Sequence, residues 1–296
     1  VTRRLKKQLG AGVVLLAVFA MFVGETLAAP VQTKKVITGA GAHFAWVIFD
    51  SLKADLEKVS GRTIELHGRN STLGMGCNAG IKTALQNSPD KETFGFVCCP
   101  LTDKEAGSMK LRVYPLALEP IYIVVNQANP ISDISAEQVR GVMRGDLVNW
   151  KELGGADEPI VLVTRLHCKK RSGHWKTILP DVKQFRQQRM NVKSAADMVQ
   201  RVSDFKGSLG HIGSTWTFGA QSRLKVLSVD GVMPTAENLR LKKYPFYRKL
   251  SAVTDNHPSK DVLKIIHEVQ TGPAFHKVAQ KYHLLPLQEA QETYAP

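Results

Sequence analysis

Aromatic residues make up only 7% of this 296-residue chain, cysteines number four, and acidic residues are outnumbered by basic ones, 26 to 40. Each shortage excludes something. No Cys-x-x-Cys-His occurs, which removes covalently attached c-type haem. No cysteine precedes an arginine at the spacing of a compact thiol-phosphatase loop: Cys168 comes after Arg165, and Arg171 follows it by only three positions. No basic stretch is interleaved with aromatics in the manner of a nucleic-acid module, so nucleic acid is not an expected partner. Beyond Val23 no run is apolar enough to cross a bilayer.

What the chain has instead is positive charge, a formal +14 at pH 7. Arg3, Arg4, Lys6 and Lys7 against Glu25 supply +3 of it, leaving +11 for the rest, a balance that favours anionic ligands or surfaces. The early cations precede an apolar run, Ala11 to Val23, and a small-residue exit, TLAAP. That is the layout of a secretory signal peptide over residues 1–28, with cleavage after Ala28. The expected mature protein is exported, periplasmic or extracellular, and its roughly 265 residues suffice for one large or two medium domains. Oxidation is permitted in such a compartment. Cys77, Cys98, Cys99 and Cys168 therefore have two readings that spacing does not separate, disulfides or thiolates that hold a ligand. The vicinal pair Cys98 and Cys99 is strained for bonding to itself.

Along the chain, Val36 and Ile37 open a strand that runs into TGAGAHF, Thr38 to Phe44. Apolar spacing at Phe44, Val47, Ile48, Leu52 and Leu56 predicts a helix from Phe44 to Ser60. Thr63 to His67 predicts a second strand, followed by a glycine-rich turn and a helix in GRNSTLGMGCNAGIKTALQ. Phe94 to Val97 predicts a third, which runs into Cys98, Cys99 and Pro100. In open α/β sheets ligands bind beyond the carboxyl ends of the strands, where all three turns would lie.

The densest loop is TRLHCKKRSGHW, Thr164 to Trp175, placed between an apolar strand, Pro159 to Val163, and a helix expected from Trp175. Its Arg165 and its helix-start amides suit an oxyanion, whereas Cys168 between His167 and His174 suits a soft metal. A solvated basic loop that includes Lys169, Lys170 and Arg171 is the third reading. His211, in a glycine-framed strand over Leu209 to Ile212, reads as a packed core residue. Two apolar crossings with Tyr-Pro starts, Tyr114 to Asn126 and Tyr244 to Asp255, predict that the chain leaves one lobe and returns to it. The lobes would be 31–116 plus 246–296, and 117–245.

Several of these segments together resemble a known family, the phosphate-type extracytoplasmic solute-binding proteins of ABC importers. They are TGAGAHF, GMGCNAGIK, FGFVCCPLTDKE, TRLHCKKRSGHW and, most specifically, YPLALEPIYIVVNQANPISDISAEQVRGVMRGDLVNWKELGG. The resemblance spans residues 35–285. It implies the α/β, two-lobed type II periplasmic binding-protein fold, each lobe a mixed sheet flanked by helices, with two crossing hinge segments. It further implies a monomer that is not an enzyme, needs no cofactor, and captures a phosphate-like oxyanion in the interlobe cleft for a membrane ABC permease or a sensor.

The ligand residues that the resemblance implies are Gly41, Ala42, His43, Phe44, Gly76, Cys77, Cys98, Cys99, Arg165, Ser172, Gly173 and His174. The family pattern has Thr or Ser where His43 stands, Ser-Asp at Cys98 and Cys99, and Thr at His174. These departures keep a second reading open, a soft-metal or metalloid site built from His43, Cys77, Cys98, Cys99, Cys168 and His174. That reading expects these six side chains to converge on the cleft, with at least three sulfurs within reach of one centre. A thiol-dependent phosphatase is the catalytic alternative.

Overall fold

The computed structural model describes residues 36–67, 76–99, 101–168, 173–216, 218–219 and 221–288. The expected signal peptide, Pro100, and Lys169 to Ser172 of the basic loop lie outside them. Three strands open the fold: β1 (Val36–Gly41), β2 (Thr63–His67) and β3 (Glu92–Val97), with β1 in the middle and all pairings parallel. β3 is buried along almost its whole length, as expected where helices cover both faces of a parallel sheet.

The apolar stripe after β1 forms two helices rather than the one predicted, α1 (Phe44–Ile48) and α2 (Lys53–Ser60). The break falls at Asp50 and Ser51, whose short polar side chains favour turns over helix interiors. The next helix, α3 (Gly76–Ala84), lies directly on β3. A Cβ added to Gly95 would sit 1.9 Å from the Gly80 carbonyl oxygen, and one added to Gly80 would sit 2.4 Å from that of Phe96. Glycine at both positions is what lets helix and strand touch backbone to backbone, and this contact seats Cys77 beside Cys98.

β4 (Leu111–Asn126) is sixteen residues long. Beyond it come β5 (Asp133–Ile134), β6 (Val161–Thr164), β7 (Met190–Asn191), β8 (Ser208–Gly213), β9 (Leu224–Val226), β10 (Ser228–Val229), β11 (Tyr247–Asp255) and β12 (Leu285–Pro286). The main sheet runs β2-β1-β3-β11-β4-β8-β6-β7, with β9 and β12 also on β4, while β5 and β10 form a separate pair. β4 changes partner along its length. From Leu111 to Pro120 it pairs antiparallel with β11, and from Ile121 to Val125 with β8. The two Tyr-Pro crossings thus lie side by side. Neither proline of β4 breaks the sheet: Pro115, opposite Ser251, sits at the register shift, and Pro120, opposite Tyr247, sits where β11 begins, positions at which the ladder needs no donor.

The two largest groups of buried apolar side chains fall on either side of this partner change. One gathers Phe44, Phe49, Phe94, Phe96, Ile265 and Phe275 around β1, β3 and the tail helices. The other gathers Ile123, Val139, Trp150, Leu162, Trp175 and Phe246. A smaller third group includes Tyr122, Val163, Met198 and Ile212. Each fully buried side chain of this kind contributes about 1.5–3 kcal/mol. The helix predicted from Trp175 is only a 3-10 turn, His174–Thr177, because Pro180 follows and disfavours helix in the residue before it.

Candidate functional site: a cationic cavity beside a thiol cluster

A small cavity of about 30 Å³ opens where β1, β6 and β8 end and where β4 and β11 cross. A water needs about 10–15 Å³, so the space suits a compact ion of a few atoms. Its polar lining comes from His43 after β1, Arg165 after β6, His174, His211 on β8, Thr215 beyond β8, and Arg248 on β11. A larger groove of about 640 Å³, lined by Arg144, Arg186 and Arg189, shares none of these residues.

The charges are unequal. Glu119 on β4 is wholly buried, forms an ion pair through Oε2 with Arg248 Nε, and accepts a hydrogen bond from the Thr215 amide at 2.9 Å. Gly213 makes the room: a Cβ there would lie 2.5 Å from Glu119 Oε1 and 2.6 Å from Arg248 Nη2. Glu119 is therefore spent on Arg248. Arg165, whose Nε donates to the Lys193 carbonyl at 3.3 Å, pairs with no carboxylate among the described residues. Burial lowers its pKa from the ordinary guanidinium value, so a counter-charge in the cavity would stabilise it.

The histidines are held neutral. Burial pushes His211 down to about 3 and His43 to about 4, and it places His174 well below the ordinary value with His167 as the next cause. Their proton positions follow from the contacts. Arg248 Nη1 can only donate, so Nδ1 of His174, 3.4 Å away, accepts. The Nε2–H of His174 then donates to Nδ1 of His211 at 3.1 Å, which leaves the proton of His211 on Nε2. That Nε2 is buried and has no hydrogen-bond partner among the described residues. An unpaired buried donor costs about 1–3 kcal/mol, and an oxygen held in the cavity would satisfy it.

The sequence-predicted residues fall into distinct places. The His43 ring packs at a tilt against Trp216, another cavity wall, at 4.3 Å between ring centroids. The Ala42 amide is committed to the Phe96 carbonyl at 3.0 Å, and the Phe44 ring packs edge-on against Phe96. Gly41, at a φ of 141°, lets the turn pass over β3, and Gly76 starts α3. Gly173 shapes the basic loop, because a Cβ would lie 2.2 Å from Trp175 Nε1, which donates to the His167 carbonyl at 2.6 Å. Ser172 lies outside the described residues.

The four cysteines are free thiols gathered from the start of α3, the turn after β3 and the loop after β6. Cys77 and Cys98 have their sulfurs 3.6 Å apart, and Cys99 donates to Cys168 Sγ at 2.8 Å. Hydrogen bonds from Cys77 and Cys99 pull the Cys168 thiol down to about 4, while Cys99, as the donor to Cys168, is pushed up. Two groupings have all their donor atoms within 4.8 Å of one another: Cys77, Cys99 and Cys168, and Cys98, Cys99 and His167. Neither contains His43 or His174, which line the cavity instead. His167 joins the two clusters, with its ring 4.6 Å from that of His174 and its Nε2 4.0 Å from Cys99 Sγ.

Sequence reasoning missed Glu119, Arg248, Thr215 and Trp216, and it took His211 for an inert core residue. Glu119 did carry a signal, as the lone carboxylate in the apolar run LALEPIYIVV. Arg248 did not, since nothing in YRKL distinguishes it from the neighbouring Lys249.

A two-lobed α/β binding-protein fold with a cationic cavity at the crossing strands is the class that these features define. The sequence matches the family described as "PBP superfamily domain" over residues 28–276, and the chain belongs to that superfamily. Among curated proteins it is 28% identical over 162 residues to "Phosphate-binding protein PstS" of Borreliella burgdorferi, covering 51% of this chain and 57% of that one. The chain spans about half the length of the curated relatives it matches. Among solved structures, a putative phosphate ABC transporter substrate-binding protein with bound phosphate from Clostridium perfringens superposes with a TM-score of 0.70 at 23% identity, over 85% of this chain and 98% of that one. An ABC-type phosphate transport receptor from Vibrio cholerae gives 0.62 at 20%, over 84% and 99%. At these identities the two superpositions establish the fold.

Proposed function

We propose that this chain is an exported solute-binding protein that captures a small, phosphate-like oxyanion and delivers it to a membrane ABC permease. The observation that carries this reading is the buried Nε2–H of His211, without a partner among the described residues, in a cavity that also presents the guanidinium groups of Arg165 and Arg248. Donors and cations converge on a space fit for a compact anion, and a dehydrated, charge-assisted contact is the strong kind. The names of the relatives favour phosphate as the anion, and the layout of residues 1–28 favours export. The moving halves would be 31–116 plus 246–296, and 117–245. Binding rather than turnover is what the names of the relatives favour.

Trp216 provides the readout, since it lines the cavity. Inorganic phosphate titrated into ligand-free protein should change its fluorescence saturably, with one site by calorimetry, and sulfate and arsenate as competitors would rank the anions. Absence of both heat and fluorescence change with every anion would overturn the reading.

A further inference from the structure

The thiol cluster is not needed to hold an oxyanion, and its geometry serves a different chemistry. We propose that Cys77, Cys99 and Cys168 form a binding site for one soft, thiophilic metal cation, with His167 beside Cys99 as an available nitrogen ligand. This would be a second site, adjoining the anion cavity and separate from it.

Three observations support the proposal. First, the three sulfurs lie within 4.8 Å of one another. Sulfurs sharing a tetrahedral ion at a bond length of about 2.3 Å would stand about 3.8 Å apart, so only small side-chain shifts are required. Second, they come from three separate segments, the start of α3, the turn after β3 and the loop after β6. Every cysteine in the chain is Cys77, Cys98, Cys99 or Cys168, and all of them meet here. Buried cysteines that act merely as small apolar side chains have no reason to assemble in this way.

Third, the His167 ring is prepared as a ligand. Its Nδ1 lies 3.2 Å from the Arg165 carbonyl, an acceptor, so Nδ1 carries the proton and Nε2 keeps its lone pair on the side of Cys98 and Cys99. Metal-binding imidazoles are commonly fixed by this kind of contact. Binding involves no redox step: each ligating thiol releases its proton to solvent and gives a sulfur lone pair to the ion. Soft sulfur donors select copper(I), zinc(II) or cadmium(II) over magnesium and calcium.

The test uses cadmium(II) on the full chain after reduction under anaerobic conditions. One cadmium per chain should bind with a thiolate-to-metal charge-transfer band and should protect three thiols from a chromogenic disulfide reagent. Cys99→Ser should weaken binding about tenfold or more and reduce the band. Cys168→Ser, at a less buried position, gives the same reading if the first variant fails to fold by circular dichroism. Absence of the band, uptake indifferent to both substitutions, or a pair of disulfides that resist reduction would each overturn the proposal. Phosphate titration of the same samples reports on the anion cavity separately, so failure of one site is distinguishable from failure of the other.

Discussion

The Nε2 of His174 lies 3.1 Å from the Nδ1 of His211, so the proton on one ring decides where the proton sits on the other. Arg248 starts this relay and the cavity ends it, which transmits the position of a buried guanidinium to a donor that faces the ligand space. His211→Phe keeps a ring of similar size but removes the donor. Phosphate affinity should fall about 5- to 150-fold, the equivalent of roughly 1–3 kcal/mol for one unmade hydrogen bond. Calorimetry on a folded variant with unchanged affinity would show that the donor faces no ligand.

Arg165→Ala should be more severe. Loss of a charge-assisted contact in a desolvated pocket costs on the order of 2–5 kcal/mol, so phosphate binding should drop below calorimetric detection. Circular dichroism should be unchanged, because no carboxylate is left unpaired among the described residues.

Glu119 should matter for stability. Glu119→Gln keeps an acceptor for the Thr215 amide but leaves the Arg248 charge buried without its partner. Breaking a buried pair on one side costs about 3–5 kcal/mol, which urea unfolding will register. A loss below about 1 kcal/mol would mean that water reaches the pair.

Acid should destabilise the fold through the histidines. His43 and His211 have folded pKa values of about 4 and about 3, below the ordinary 6.5, so in that interval the unfolded chain binds more protons than the folded one. Their contribution is full above about pH 6.5 and declines as pH falls toward those values. The melting temperature should therefore decrease from pH 7.5 to pH 4.5, and His43→Gln should flatten the dependence. An equally steep dependence in the variant would assign the effect to other groups.

Gly95→Ala tests the helix–strand docking that brings Cys77 to Cys98. The added Cβ would meet backbone, at 1.9 Å from the Gly80 oxygen, where no side chain can rotate aside. A loss of about 3 kcal/mol, the upper end for overpacking, is expected in urea unfolding. A neutral effect would show that α3 shifts freely on β3.

The turn after β1, the side-by-side crossings and the gathering of the cysteines were legible because each depends on local pattern: glycines after an apolar run, repeated Tyr-Pro starts, rare residues near strand ends; the glycine-rich turn expected over residues 68–75 lies outside the described residues. The rest of the site was not. Glu119, Arg248 and His211 belong to three strands far apart in sequence, and they meet only because β4 pairs with β11 on one stretch and β8 on the next. No spacing rule encodes such a meeting. The grouping of His167 with the sulfurs, and of His43 and His174 with the cavity, depends on which way loop side chains turn. Periodicity carries no information about that.

The partner change along β4 also has a mechanical meaning. Under the proposed division into two lobes, rotation of one against the other would pass through the strands that both share, where displacement is smallest. Glu119 and Pro120 occupy that place, and Glu119 holds Arg248 and Thr215 of the cavity lining. In the proposed two-lobed motion this part of the lining would move least, so an arriving ion would meet a fixed charge pattern.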